Sequence, residues 1–197
     1  MPKEAGKHMV TIGVLSLQGS VIEHMQCLNC LPDVHGVEVK TSDALQKVDA
    51  LILPGGESTT MGKLLHFFAL TEPLKKRILE GMPVWGTCAG MILLAKHLVD
   101  EPAHLGVMDI TVRRNAYGRQ IDSFTAKVSL PDISEKEIPL VFIRAPWIEA
   151  AGPDVQVLCR LNEHIVAARQ NNMLATSFHP ELSEDLSFLK YFASMIK

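Results

Sequence analysis

Apolar residues along this chain fall into short blocks divided by polar or glycine-containing segments, and the rhythm of the blocks changes past residue 97. In the first part, brief apolar runs at 11–17, 37–39, 50–53 and 84–86 read as strands. They alternate with stretches of helical character at 21–31, 59–69, 72–80 and 89–97. Strand and helix in alternation specify a largely parallel sheet covered on both faces, because each crossover returns along one side of the sheet. The second part reads as strands at 109–113, 124–130, 140–144, 155–159, 165–169 and 173–178, with few helices between them and a closing helix at 184–196. The expected fold is therefore α/β, a three-layer sandwich around a mostly parallel mixed sheet with antiparallel additions. No repeat and no glycine- or serine-rich linker divides the chain, so residues 9–197 are expected to form a single domain behind a disordered tail at 1–8.

With 47% hydrophobic residues in 197, the chain can bury a full core on its own. A formal net charge of −3 supplies no basic field of the sort that attracts nucleic acid or anionic membranes. No apolar run approaches the roughly 20 residues that cross a bilayer, and the first residues lack the apolar centre of a signal peptide. A cytoplasmic protein is expected, with no nucleic-acid or membrane partner.

Candidate chemistry begins at Gly86-Thr87-Cys88-Ala89-Gly90, where a strand should turn into a helix. The pattern is the Gly-x-Ser-x-Gly nucleophile elbow with cysteine in place of serine. Its glycines permit a tight turn, and a helix N-terminus behind the thiol favours the thiolate. A buried core cysteine is the competing reading. Downstream, Ser177-Phe178-His179-Pro180-Glu181 ends an apolar run. Residues two apart in extended chain share a face, so His179 and Glu181 can point into one site as base and orienting carboxylate. A third segment, Leu53-Pro54-Gly55-Gly56-Glu57-Ser58-Thr59-Thr60, lets the backbone approach a ligand closely. Its Gly56 amide, paired with that of Ala89, would form an oxyanion hole. A P-loop fails on spacing: five residues rather than four separate Gly56 from Gly62, and Leu64 follows Lys63 where serine or threonine belongs. An ordinary strand-to-helix turn capped by Ser58 or Thr59 stays open. Cys27 and Cys30 have C-x-x-C spacing, but no second pair follows, and the histidines show no metal-binding spacing. Free thiols and no catalytic metal are expected.

Taken together with Ile12 to Gly19, the segment running from Arg114 through Gly118-Arg119-Gln120 to Phe124, and Phe142-Ile143-Arg144-Ala145-Pro146, these motifs resemble the class I glutamine amidotransferases. Within that class the chain resembles the SNO family, the glutaminase subunits of pyridoxal 5'-phosphate synthase. The resemblance implies glutamine hydrolysis through a Cys88 thioester with His179 and Glu181, and a hetero-oligomeric synthase partner that receives the ammonia. It implies a glutamine pocket formed by Gly56, Glu57, Ser58, Arg114, Ile143 and Arg144, with Gln18 a weaker candidate near the partner interface. It implies no cofactor: pyridoxal 5'-phosphate is the product of the complex. A glycine-rich loop that completes the oxyanion hole on docking would leave the isolated subunit poorly active. A glutaminase feeding another acceptor and a non-catalytic member of the same fold are the alternatives.

Overall fold

Strand pairing in the computed structural model, which describes residues 9–114 and 123–196, follows the alternation in the sequence. β1 (Val10–Leu15), β2 (Val34–Val39), β3 (Ala50–Leu53) and β4 (Val84–Thr87) are parallel neighbours in the order β2-β1-β3-β4. β12 (Met173–Thr176) adds to β4 in parallel. Beyond it the sheet turns antiparallel through β11 (His164–Gln170), β9 (Trp147–Ala151) and β6 (Met108–Arg113), and ends at β5 (Ala95–Leu98). β10 (Gln156–Leu161) pairs with β11, and β7 (Ser123–Val128) with β8 (Ile138–Ile143) forms a separate hairpin.

The central strands are buried on both faces, and the period-2 rule shows in where their side chains go. Leu51, Leu53, Val84 and Ala175 pack into one apolar cluster with Met61 and Leu65 of α3 (Ser58–Phe67), Leu74 and Ile78 of α4 (Thr71–Leu79), and α5 (Ala89–Leu94). Ala50, Ile52, Trp85 and Leu174 point the other way, into a second cluster with Leu28 of α1 (Val21–Asn29), Phe188 and Phe192 of α6 (Ser187–Ser194), and the β7–β8 hairpin. Two cores on one sheet make the three layers.

Several elements differ from the expectation. The helix expected at 89–97 stops at Leu94, and the next residues form β5, where Ala95 is extended (φ −57°, ψ 133°) and pairs with Met108. Carbonyls at the helix end are taken by the amides of Leu105 and Val107. The strand expected at 173–178 ends at Thr176, since the Ser177 amide donates to Val166 and the His179 amide to Val141. α2 (Ser42–Leu45) and β9 were not expected: α2 is one turn capped by the Thr41 hydroxyl, and β9 is short and follows a proline. The tail at 1–8 and most of the Arg114-to-Phe124 motif lie outside the described residues.

The elbow sits where β3 and β4 run closest to α5. A β-carbon on Gly90 would lie 2.0 Å from the Leu53 carbonyl oxygen, and one on Gly86 2.5 Å from Gly90 backbone atoms. Those contacts are with backbone, which cannot swing aside. Gly90→Ala is expected to destabilise the fold by roughly 3 kcal/mol, the upper end for overpacking, measured by denaturant unfolding.

Candidate active site

Cys88 leaves β4 with φ 48° and ψ −103°, a conformation a non-glycine residue rarely adopts, and α5 starts at the next residue. Such strain, on the order of 1–3 kcal/mol, persists only where surroundings enforce it and concentrates at functional sites. Here the Cys88 amide donates to the Thr176 carbonyl at 2.8 Å, tying the elbow to β12. The thiol is buried, 7% exposed, at the floor of a cavity of about 450 Å3.

His179 reaches the same cavity from the chain beyond β12. Phe178, fully buried against Phe142 and Phe188, anchors that chain from the opposite side. The imidazole packs against Gly55, where a β-carbon would lie 2.4 Å from His179 Cε1 and 3.5 Å from Cys88 Cβ. Nδ1 lies 2.8 Å from Glu181 Oε1, which leaves Nε2 to address the thiol. The geometry behind the pair is not the extended chain that two-residue spacing suggests. Pro180–Leu182 is a single 3-10 turn with proline at its start, and the turn folds the carboxylate back beneath the ring. Glu181 is itself buried, behind His179 and out of the cavity lining.

Burial alone would lower the His179 pKa, but hydrogen bonds with Cys88 and Glu181 and the charge on both outweigh it, and the value rises to about 10. Burial pushes Glu181 up, yet the bond to His179, nearby His24 and the Ser20 hydroxyl bring it below the usual carboxylate value. The raised value favours the ion pair in which the thiol has given its proton to Nε2, a thiolate beside an imidazolium that the carboxylate supports. The sign follows from the raised value: the pairing energy is complete below the ordinary histidine value of 6.5 and is lost as pH rises through about 10. Glutamine turnover should accordingly fall as pH rises through about 10, measured as kcat/KM across an alkaline series.

The glycine-rich segment forms the facing wall. Gly56 lies against Gln18, whose Oε1 accepts the Glu57 amide at 2.9 Å and would stand 2.5 Å from a β-carbon on Gly56. Ala89 opens α5, so its amide hydrogen has no carbonyl partner within that helix. The helix cap expected of Ser58 or Thr59 belongs to Glu57, whose carboxylate accepts from the Thr59 and Thr60 amides at 3.2 and 2.7 Å. Hydrogen bonding, led by the Thr60 hydroxyl, holds Glu57 at about 2. Ser58 is buried with its backbone at the start of α3 and still lines the cavity.

The two arginines differ. Arg114 is pinned by Glu101 at 2.9 Å, Glu57 at 3.1 Å and the Thr59 hydroxyl at 3.1 Å. Arg144, which also lines the cavity, sits at φ 41° just after Ile143, and among the described residues its guanidinium has no ion-pair partner. Neighbouring Arg113 spends its guanidinium on Glu149, at 3.0 and 3.1 Å, on the solvated surface. The cavity thus brings together Cys88, His179, Gly56, Ala89, Glu57, Ser58, Arg114, Ile143, Arg144 and Gln18. Ile92 and Pro146, which line it too, give no sequence signal beyond apolar character. Cys27 and Cys30 stand apart from it as free thiols, one half-buried and one exposed.

A thiol on a strand-to-helix elbow, an imidazole–carboxylate pair and the glycine-rich wall thus meet at one cavity on a three-layer α/β sheet. A crystal structure described as that of a glutamine amidotransferase superposes with a TM-score of 0.89 at 42% identity, covering 94% of this chain and 98% of that one. The model of the SNO glutamine amidotransferase family matches residues 14–197, and the chain belongs to that family. It is 59% identical over 189 residues to the pyridoxal 5'-phosphate synthase subunit PdxT of Ruminiclostridium cellulolyticum, covering 95% of this chain and all of that protein. The subunit of the same name from Caldanaerobacter subterraneus subsp. tengcongensis is 57% identical, covering 92% and 96%. More distant resemblance, such as a TM-score of 0.66 at 19% identity to a GMP synthase subunit from Thermoplasma acidophilum, concerns the fold alone.

Proposed function

We propose that this chain is the glutaminase subunit of a pyridoxal 5'-phosphate synthase. It hydrolyses L-glutamine to L-glutamate and ammonia and passes the ammonia to a synthase subunit for vitamin B6 formation. The observation that carries the chemistry is the buried Cys88–His179–Glu181 constellation beside a cavity with room for glutamine. The acceptor is inferred from the PdxT relatives that match nearly end to end.

In this reading Cys88 sulfur attacks the side-chain amide carbon of glutamine, and the carbonyl electrons move onto oxygen. The Gly56 and Ala89 amides meet that oxyanion, each donor contributing on the order of 3 kcal/mol. When the tetrahedral species collapses, His179 gives its Nε2 proton to the departing nitrogen, and ammonia leaves behind a thioester. Water, deprotonated by the now neutral ring, attacks the thioester carbon, and sulfur departs with glutamate released. Glu181 holds the ring in register and balances its charge throughout. Every step is carried by side chains and amides of this chain, with residues 9–197 acting as one domain. A cytoplasmic setting belongs to the same reading, because the nucleophile works only while its thiol stays reduced. Among the described residues no helix is long and apolar enough to cross a membrane.

Substrate contacts divide by what each group has left to offer. Arg144, without an ion-pair partner among the described residues, supplies the cationic fork for the α-carboxylate. Glu57, held in place by Arg114, turns its carboxylate to the α-ammonium, Ser58 sets the start of α3, and Ile143 covers the aliphatic chain. Arg144→Ala should raise KM for glutamine about tenfold to a hundredfold with a much smaller change in kcat, as expected for a lost charge-assisted hydrogen bond. Steady-state glutamate release in the presence of the synthase subunit measures this.

The assignment is tested by mixing the chain with a purified synthase subunit, glutamine and the sugar-phosphate substrates, and following glutamate and pyridoxal 5'-phosphate together. Coupled formation of both is expected, with slower glutamate release when the synthase is omitted. Glutamate formed without any pyridoxal 5'-phosphate would point to another acceptor, and equal glutamate rates with and without synthase would exclude completion of the oxyanion hole on docking.

A further inference from the structure

The carboxylate of Glu181 has neighbours beyond His179, and they come from α1 and the turn that leads into it. Ser20, the residue before α1, donates its hydroxyl to Glu181 Oε1 at 2.6 Å, the same oxygen that meets His179 Nδ1. One turn later, on α1, His24 places Nε2 3.4 Å from Glu181 Oε2 and 3.2 Å from the Thr87 hydroxyl. Thr87 is the last residue of β4, immediately before the nucleophile. His24 is 2% exposed, and Trp85 lies edge-on to its ring. Glu181 Oε2 is fully buried and accepts no hydrogen bond among the described residues, and the 3.4 Å approach of His24 Nε2 is a close polar contact short of hydrogen-bond geometry. A buried carboxylate oxygen without a donor is costly, so the imidazole facing it is in a position of consequence.

Resting on the catalytic reading above, we propose that Ser20 and His24 are positioning residues of the active site: they fix the Glu181 carboxylate and, through Thr87, couple it to the strand that carries Cys88. Neither touches the cavity that takes glutamine. Their effect is exerted through Glu181. Burial pushes the His24 pKa down while the Glu181 charge pushes it up, and Nε2 of the ring stands between the Glu181 carboxylate and the Thr87 hydroxyl. The other groups facing this cluster are His179 from the 3-10 turn, Glu23 and Cys27 from α1, and Asp185, which shares a small cleft with His24. Donors on Glu181 hold its pKa down. Taking one away raises it, and the carboxylate then picks up a proton at higher pH.

The test uses full-length chain with the synthase subunit, comparing wild type with Ser20→Ala, His24→Leu, His24→Gln and Thr87→Val in pH-resolved kinetics. His24→Leu is expected to lower kcat about tenfold or more, leave KM within about twofold, and move the acid-side midpoint of kcat/KM to higher pH. Ser20→Ala should shift that midpoint in the same direction with a smaller drop in kcat. His24→Gln, which keeps a donor at the tip, should recover most of the loss, and Thr87→Val should lower kcat without moving the midpoint. If His24→Leu does not fold, Ser20→Ala and Thr87→Val still decide the matter, and unchanged kcat and pH profile in both overturns the proposal. Unchanged kcat and pH profile in Ser20→Ala and His24→Leu, or a loss in His24→Leu that glutamine at that site does not repair, overturns the proposal. Inactive wild type would instead condemn the glutaminase reading itself.

Discussion

Cys88→Ala should abolish glutamine hydrolysis, with kcat reduced on the order of 10^5-fold, while the protein stays folded and still associates with its synthase partner. The size follows from the role: without sulfur there is no thioester, and what remains is the modest catalysis that oriented amides give to water. Folding should be little affected because the change removes one atom from a site lined by backbone and His179. Ammonia supplied directly ought to bypass the variant and restore pyridoxal 5'-phosphate formation by the assembled complex. Glutamate release, circular dichroism and ammonia rescue together distinguish a lost nucleophile from a damaged scaffold. None of the other thiols can substitute, since Cys27, Cys30 and Cys159 lie outside the cavity lining.

Glu181→Gln is the second large effect. The amide is nearly isosteric, so the ring of His179 keeps a neighbour, but the negative charge that supports the imidazolium is gone. Two consequences separate this variant from Cys88→Ala. Turnover should fall on the order of 10^4-fold, the size seen when the carboxylate of a nucleophile–histidine–acid triad is neutralised. The alkaline limb of the pH profile should also move down from about 10, because one of the interactions that raises His179 has been removed. KM should change little, since Glu181 stands behind the histidine and does not line the cavity. Kinetics at saturating glutamine across pH measure both.

Much of this site could be read before any coordinates, and the reasons are local. A glycine two residues either side of Cys88 marks an elbow because only glycine tolerates backbone atoms at the spacing found around Gly86 and Gly90. Short apolar blocks alternating with helices reported the parallel half of the sheet, because strands covered on both faces must be apolar throughout. What stayed hidden depends on contacts across the chain. Ser20 and Glu181 are 161 residues apart, and nothing in a serine that begins a helix says that its hydroxyl will meet a distant carboxylate. His24 reads only as a polar residue on a mixed helix. The pairing of His179 with Glu181 was legible as a two-residue spacing, but its cause is a 3-10 turn that proline starts, and not extended chain. Glu57 was expected at the substrate or at the cap of the following helix; it lines the cavity, and its carboxylate holds the α3 cap and Arg114. Residues 95–97 read as the end of a helix from their helix-forming side chains, and only pairing with β6 reveals the strand.

The central claim is that Cys88 sulfur is the atom that bonds to the glutamine amide carbon. Incubating the synthase-bound chain with a glutamine-analogue electrophile, followed by peptide mass spectrometry, reads this directly. A single adduct on the Cys88 peptide, prevented by excess glutamine and absent from Cys88→Ala, is the predicted result. Glutamine turnover in a complex whose Cys88 remains unmodified, or an adduct placed on another cysteine instead, would contradict it.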